Sequence, residues 1–257
     1  MSTINFQTEG QVAFLTINSP PANALSTAIL ADIDASLTKI EEANDIKAIV
    51  LQGEGKFFSA GADIKEFTSL QESSDYAALS KKGQVLFDRI EHFHIPVIAA
   101  IHGASLGGGL ELAMACHMRI VGKNSKLGMP EINLGIIPGF AGTQRLPQYV
   151  GIPKAYEMIL TGSLISGEEA HFYGLANRVC ADDEVHAEAA KIAKTIAQKS
   201  KLSIEKVMEL IPYAKNTQFQ EGADAEATAF GNIFGTEDAS EGIAAFLEKR
   251  TPNFRDK

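Results

Sequence analysis

Two glutamates stand where a solvated carboxylate is hard to place. Glu111 lies in Ser105-Leu106-Gly107-Gly108-Gly109-Leu110-Glu111-Leu112-Ala113-Met114-Ala115. Glu131, 20 residues further on, lies in Met129-Pro130-Glu131-Ile132-Asn133-Leu134-Gly135-Ile136-Ile137-Pro138-Gly139. A carboxylate in apolar surroundings is costly unless it has a partner or a job. Two of them beside backbone bared by glycine fit acid–base chemistry next to an anion-stabilising site.

The elements that would position them follow from the same strings. Leu110 to Cys116 reads as a helix buried nearly all round, entered from a strand through the glycines. A helix N-terminus carries unpaired N–H groups and partial positive charge, and glycine lets a ligand oxygen approach them. Gly108 and Glu111 are three apart and face the same direction. The Gly108 N–H can then hold a developing oxyanion while Glu111 handles a proton or a water. A second donor is offered upstream in Lys56-Phe57-Phe58-Ser59-Ala60-Gly61-Ala62-Asp63-Ile64-Lys65-Glu66-Phe67, where residues 59–62 are small and follow the strand Ala48–Leu51. Taken alone, each piece has a plainer reading: a glycine turn, or a strand-to-helix turn with Asp63 as cap. The combination points to a site.

Three blocks in order, FFSAGADIKEF, IPVIAAIHGASLGGGLELAMACHMRI and KLGMPEINLGIIPGFAGTQRLPQYVG, resemble the signature of the enoyl-CoA hydratase/isomerase (crotonase) family. The resemblance runs from about residue 4 to Phe246-Leu247-Glu248-Lys249-Arg250 and is greatest for bacterial enoyl-CoA hydratases of fatty-acid β-oxidation. It implies that the backbone N–H groups of Ala62 and Gly108 form the oxyanion hole and that Glu111 and Glu131 are the catalytic pair. It implies substrate and coenzyme A contacts at Ala60, Asp63, Ile64, Lys65, Gly139, Phe246 and Lys249, the last from a neighbouring subunit. The implied reaction is reversible syn addition of water to a trans-2-enoyl-CoA, with coenzyme A as part of the substrate and no separate cofactor. Family isomerases resemble this pattern but typically keep only the carboxylate equivalent to Glu131. An RNA-binding branch uses a lysine-rich first helix, whereas residues 26–44 here carry Lys39 against Asp32, Asp34, Glu41 and Glu42. The resemblance also implies homotrimers or homohexamers.

Composition sets the outer limits. The 257 residues are 45% hydrophobic, with net charge −9 and two cysteines, Cys116 and Cys180. That balance argues against general nucleic-acid binding and against a disulfide framework. A polyanionic coenzyme must then rely on local cations, for which Lys56, Lys65, Lys249 and Arg250 are the candidates. Neither a signal peptide nor an uncharged apolar span of membrane length is read, so a cytoplasmic enzyme is expected. His92, His94, His102, His117, His171 and His186 make no metal-type spacing, so no metal is assigned.

Short apolar strands (Val12–Ile17, Ala48–Leu51, Val97–Ile101, Met118–Val121, Lys126–Gly128) alternate with helices at Ser26–Asn44 and Tyr76–Phe93. This predicts α/β architecture with largely parallel pairing. The family resemblance, not periodicity, implies a β-β-α spiral core. After the capping box at Ser166–Glu169, helices are read at Asp183–Lys199, Leu202–Tyr213, Phe219–Phe234 and Ala239–Lys249. The expected division is a spiral core with the site, 1–182, and a helical oligomerisation region, 183–257. The acyl pocket is expected to involve residues 67–76 and Phe140.

Overall fold

The computed structural model describes residues 3–67, 73–215, 219–234 and 236–257. Along the chain the strands are β1 (Ile4–Glu9), β2 (Val12–Ile17), β3 (Ala48–Gly53), β4 (Val97–Ile101), β5 (Ala104–Leu106), β6 (Met118–Gly122), β7 (Lys126–Gly128), β8 (Leu164–Ser166) and β9 (Arg178–Cys180). The helices of the first half are α1 (Thr27–Ala43), α2 (Ile64–Phe67), α3 (Ser73–Glu91) and α4 (Gly108–Ala115). A 3-10 turn at Pro130–Leu134 precedes α5 (Gly142–Val150), α6 (Ile152–Thr161) and α7 (Gly167–Phe172). The chain ends in α8 (Val185–Ala197), α9 (Lys201–Lys215), α10 (Phe219–Phe234) and α11 (Glu237–Glu248).

Local sequence explains the principal elements. Ser26 caps α1, its Oγ accepting from the Ile29 N–H at 3.3 Å, and Asn44 ends the helix in a left-handed conformation. Between these stops Ile29, Ile33, Leu37 and Ile40 form one buried stripe. The strands read as apolar runs because the sheet is covered on both faces. Ile49, Leu51, Val97, Ala99 and Ile101 enter the main core, while Ala48, Val50, Ile98 and Ala100 enter a second one. That second core is closed by Val185, Ala189 and Ala193 of α8. Small residues on α8 let it lie close to the sheet.

The main sheet has the order β1-β2-β3-β4-β6-β9, antiparallel only between β1 and β2. A smaller sheet runs β5-β7-β8. From β4 and again from β6 the chain lays one strand in the large sheet and then a three-residue strand in the small sheet. It then returns through helix, as in β4-β5-α4 and in β6-β7 with the 3-10 turn. The preceding turn reaches the small sheet at a single residue, Ser59, bridged in parallel to Ser105. The result is a spiral of stacked turns, and its small sheet leads into the site. Among the described residues no helix is long and apolar enough to cross a membrane.

Candidate active site

Strand register brings the two predicted N–H donors together. Ser59 pairs with Ser105, and Ser105 with Leu127. Ala62 lies three residues past Ser59, and Gly108 three past Ser105, so successive turns place them at the same level. A Cβ built on Gly108 would stand 3.3 Å from the Ala62 nitrogen. Leu25 bridges Ala62 by donating to Gly61 O and accepting from the Asp63 N–H. In a parallel bridge this directs the Ala62 N–H to the opposite side. Gly108 opens α4, where no intrahelical acceptor exists for its N–H. Two backbone donors therefore converge on one edge, backed by the Phe140 ring within 3.2 Å of the same Cβ position.

Glu111 is 1% exposed, in the first turn of a helix whose every residue is buried. Its Oε1 accepts from the Phe140 N–H at 2.8 Å and from the Gly142 N–H at 2.7 Å. Both donors come from the loop entering α5, where Ala141 between them takes a left-handed φ of 70°. Burial pushes the Glu111 carboxyl up from 4.5 to about 7. The nearby Glu131 carboxylate pushes the same way, while the two N–H groups and Arg145 oppose it. Gly142 is required by this contact, since a Cβ there would lie 2.8 Å from Glu111 Oε1 and 2.2 Å from Met129 Cε.

Glu131 stands in the 3-10 turn that follows β7, four residues past Leu127, and is half-buried. Burial raises its pKa. Its Oε2 is buried with no hydrogen-bond partner among the described residues. A buried orphan acceptor calls for an explanation, and a reacting partner supplies one. Gly107, at φ 49°, makes room for this side chain: a Cβ there would lie 2.8 Å from Glu131 Oε1. The arrangement can hold an oxyanion on two N–H groups and move protons on two adjacent carboxyls whose affinities have been raised toward neutrality.

A family model described as enoyl-CoA hydratase/isomerase matches residues 7–257. The chain belongs to the enoyl-CoA hydratase/isomerase family. A probable enoyl-CoA hydratase of Bacillus subtilis is 52% identical over 256 residues, covering 99% of each chain. A crotonyl-CoA hydratase of Syntrophomonas wolfei is 41% identical, covering 99% of this chain and 98% of its own. The crystal structure of an enoyl-CoA hydratase from Bacillus anthracis superposes with a TM-score of 0.94 at 35% identity, covering 99% of this chain and all of the other. These similarities bear out the family resemblance of the sequence and its spiral fold.

Of the residues singled out for a member of this family, the fold gathers Ala62, Gly108, Glu111 and Glu131, with Phe140 beside them. Ala60 and Asp63 flank the donor, their N–H groups tied to Ala22 O and Leu25 O, and Ile64 is 46% exposed. The side chain of Lys65 and residues 68–72 lie outside the described set. Gly139 anchors its loop through a carbonyl that accepts from Ser80 Oγ and Gln84 Nε2, with a Cβ there meeting nothing nearer than 3.8 Å. Phe246 and Lys249 stand at the end of α11, where Phe246 is 81% exposed and Lys249 is a left-handed cap. An apolar groove of about 1030 Å³ opens elsewhere, between the C-terminal end of α4, α9 and α11, and neither glutamate lines it. Sequence reasoning missed the donors at Phe140 and Gly142 and the buried Arg145 behind them. The short run Gly139–Gly142 was the available signal.

Among the described residues no group of three or more His, Cys, Asp or Glu is placed to hold a metal.

Proposed function

We propose that this chain is an enoyl-CoA hydratase, a hydro-lyase adding water to the double bond of a trans-2-enoyl-CoA to give a 3-hydroxyacyl-CoA. The observation that carries the reading is the pair Glu111 and Glu131, the latter with a buried oxygen that has no partner among the described residues, beside two convergent backbone N–H groups. The thioester oxygen binds the N–H groups of Ala62 and Gly108, which draws electrons from the conjugated double bond. Negative charge grows on that oxygen as water adds to C3, so the donors act more strongly on the transition state than on the substrate. Glu111 Oε1 is occupied by two backbone donors, which leaves Oε2 to hold the water with Glu131. The oxygen of water bonds to C3, one carboxyl receives its proton, and Glu131 delivers a proton to C2. The pair needs one proton between them, and their titrations are coupled.

Coenzyme A enters as part of the substrate, and no separate cofactor is invoked. Lys65 and Lys249, with Ala60, Asp63, Ile64, Gly139 and Phe246, are proposed contacts, Phe246 and Lys249 reaching it from a neighbouring subunit of a homotrimer or homohexamer. The fitting setting is cytoplasmic fatty-acid β-oxidation. Neither nucleic acid nor membrane enters this reading: α1 presents Asp34 and Glu41, both paired with Arg89. Mixing the protein with crotonyl-CoA tests the reaction, with loss of the conjugated-enone absorbance and one solvent oxygen in the product expected. Retention of the absorbance would overturn it, and a shifted double bond without solvent oxygen would assign an isomerase.

A further inference from the structure

Arg145 is 4% exposed in the first turns of α5, and its guanidinium reaches three partners. Nη1 donates to the Phe140 carbonyl at 2.8 Å, Nη2 to Asp88 at 2.7 Å and Nε to Glu91 at 2.8 Å. Its own N–H donates to Ala141 O. Asp88 and Glu91 belong to α3, so the loop of residues 139–142 is tied to α3 through one buried cation. The tie falls on the peptide groups that hold Glu111. The Phe140 residue whose carbonyl Arg145 holds gives its N–H to Glu111 Oε1, and Gly142 gives a second. For both N–H groups to meet one oxygen, Ala141 must stay left-handed, a conformation that costs a non-glycine residue about 1–2 kcal/mol. Something must hold it there, and strain of this kind is found where surrounding contacts over-determine it.

We infer that Arg145 is a positioning residue for the reaction: through the Phe140 carbonyl it fixes the two N–H donors that commit one oxygen of Glu111 and leave the other to the water. The inference rests on the hydratase reading for its kinetic consequence and on geometry alone for its effect on Glu111. Titratable groups facing Glu111 are Glu131 and Arg145 itself, and those facing Arg145 are Asp88 and Glu91. Loss of the guanidinium removes a positive charge and loosens two N–H donors, and both changes favour the protonated carboxyl.

The test compares three variants: Arg145→Gln; the same change with Asp88→Asn and Glu91→Gln, which also neutralises the two carboxylates that Arg145 pairs with; and Asp88→Asn/Glu91→Gln with Arg145 retained. For folded protein we expect both variants lacking Arg145 to lose kcat by roughly tenfold or more, as displaced catalytic groups do, with KM changing less. Their acid limb should move to higher pH. The variant retaining Arg145 should keep kcat within roughly threefold, because the bond to Phe140 O survives. An infrared titration of the carboxyl band that disappears in Glu111→Gln reports the same shift without turnover. It still reads the inference if wild-type protein fails to hydrate crotonyl-CoA. Unchanged kcat, acid limb and infrared titration in folded protein lacking Arg145 would overturn the role. So would an equal loss in the variant that retains it, because the effect would then come from general loosening of α3 and α5.

Discussion

Glu111 is held against its own desolvation. Two backbone N–H groups and a buried guanidinium favour its charge, yet burial still raises its pKa from 4.5 to about 7. Between those values the folded protein keeps a proton that the unfolded chain has released, so stability falls as pH rises through that window. At 1.36 kcal/mol per unit the full effect is about 3 kcal/mol. Glu111→Gln should therefore be more stable than wild type above about pH 7, by up to that amount, and no more stable near pH 4, where both side chains are neutral. Thermal melts at the two pH values check this, and an equal difference at both would contradict it. Gly107→Ala makes the complementary point at Glu131. Its Cβ would meet the movable end of that side chain, not backbone, although φ 49° adds strain on the order of 1–3 kcal/mol. Folded protein with kcat reduced at least tenfold is expected, comparable to losing a positioned acid–base group. Full activity would show that Glu131 needs no such space. The glutamates were legible because a carboxylate in an apolar run is a contradiction that chemistry resolves. The N–H groups of Phe140 and Gly142 were not, because a backbone donor leaves no mark in residue type.

Elements were legible where cap and period agreed. Ser26 with Ile29, Ile33, Leu37 and Ile40 defined α1, the apolar runs defined β2, β3, β4 and β6, and β7 was legible only as the short continuation of β6. The capping box at Ser166 is present with both of its hydrogen bonds. What escaped was short or contradictory. β5 and β8 span three residues each, too few for a period to register. β1, Ile-Asn-Phe-Gln-Thr-Glu, exposes most of one edge and was not read. α5 carries Pro147 in its interior, an ordinary helix-breaking signal, and was not read either. That omission mattered, since the loop entering α5 holds Glu111. Ala141 gives a direct test of this loop. Ala141→Gly relieves the left-handed strain and should keep activity within roughly twofold, whereas Ala141→Val should cost about 1–3 kcal/mol and most of the turnover. Circular-dichroism melts and initial rates check both, and an active, equally stable Ala141→Val protein would remove the loop conformation from the mechanism.

At the scale of the molecule, the spiral was not derivable from periodicity, because strands that bridge turns through a single residue such as Ser59 carry no repeat to count. The family resemblance supplied it, and the fold similarity bears it out. The boundary proposed at residues 182 and 183 falls just before α8, which packs on the main sheet through Val185, Ala189 and Ala193. The oligomerisation role we propose therefore rests on the later helices. There Phe230, Phe234, Ile243, Phe246 and Leu247 are 44–81% exposed, with the Phe230 and Phe234 rings 5.6 Å apart, and large apolar side chains grouped on a surface mark interfaces. The chain end is fastened by its own contacts: Asp256 pairs with the buried Lys47 at 2.7 Å, and Lys257 O accepts from the Asp238 N–H. Light scattering should give two or more times 27.5 kDa, and deleting residues 235–257 should lower both that mass and the affinity for coenzyme A esters. A fully active monomer would contradict the assembly. The most direct measurement of the central claim is the initial rate of crotonyl-CoA hydration by wild type, Glu111→Gln and Glu131→Gln, each shown to be folded. Consumption of the enone with one solvent oxygen in the product is expected for wild type. A fall in kcat of roughly 100-fold or more is expected for each variant. Hydration at the wild-type rate by either variant would remove that glutamate from the chemistry and contradict the two-carboxylate mechanism.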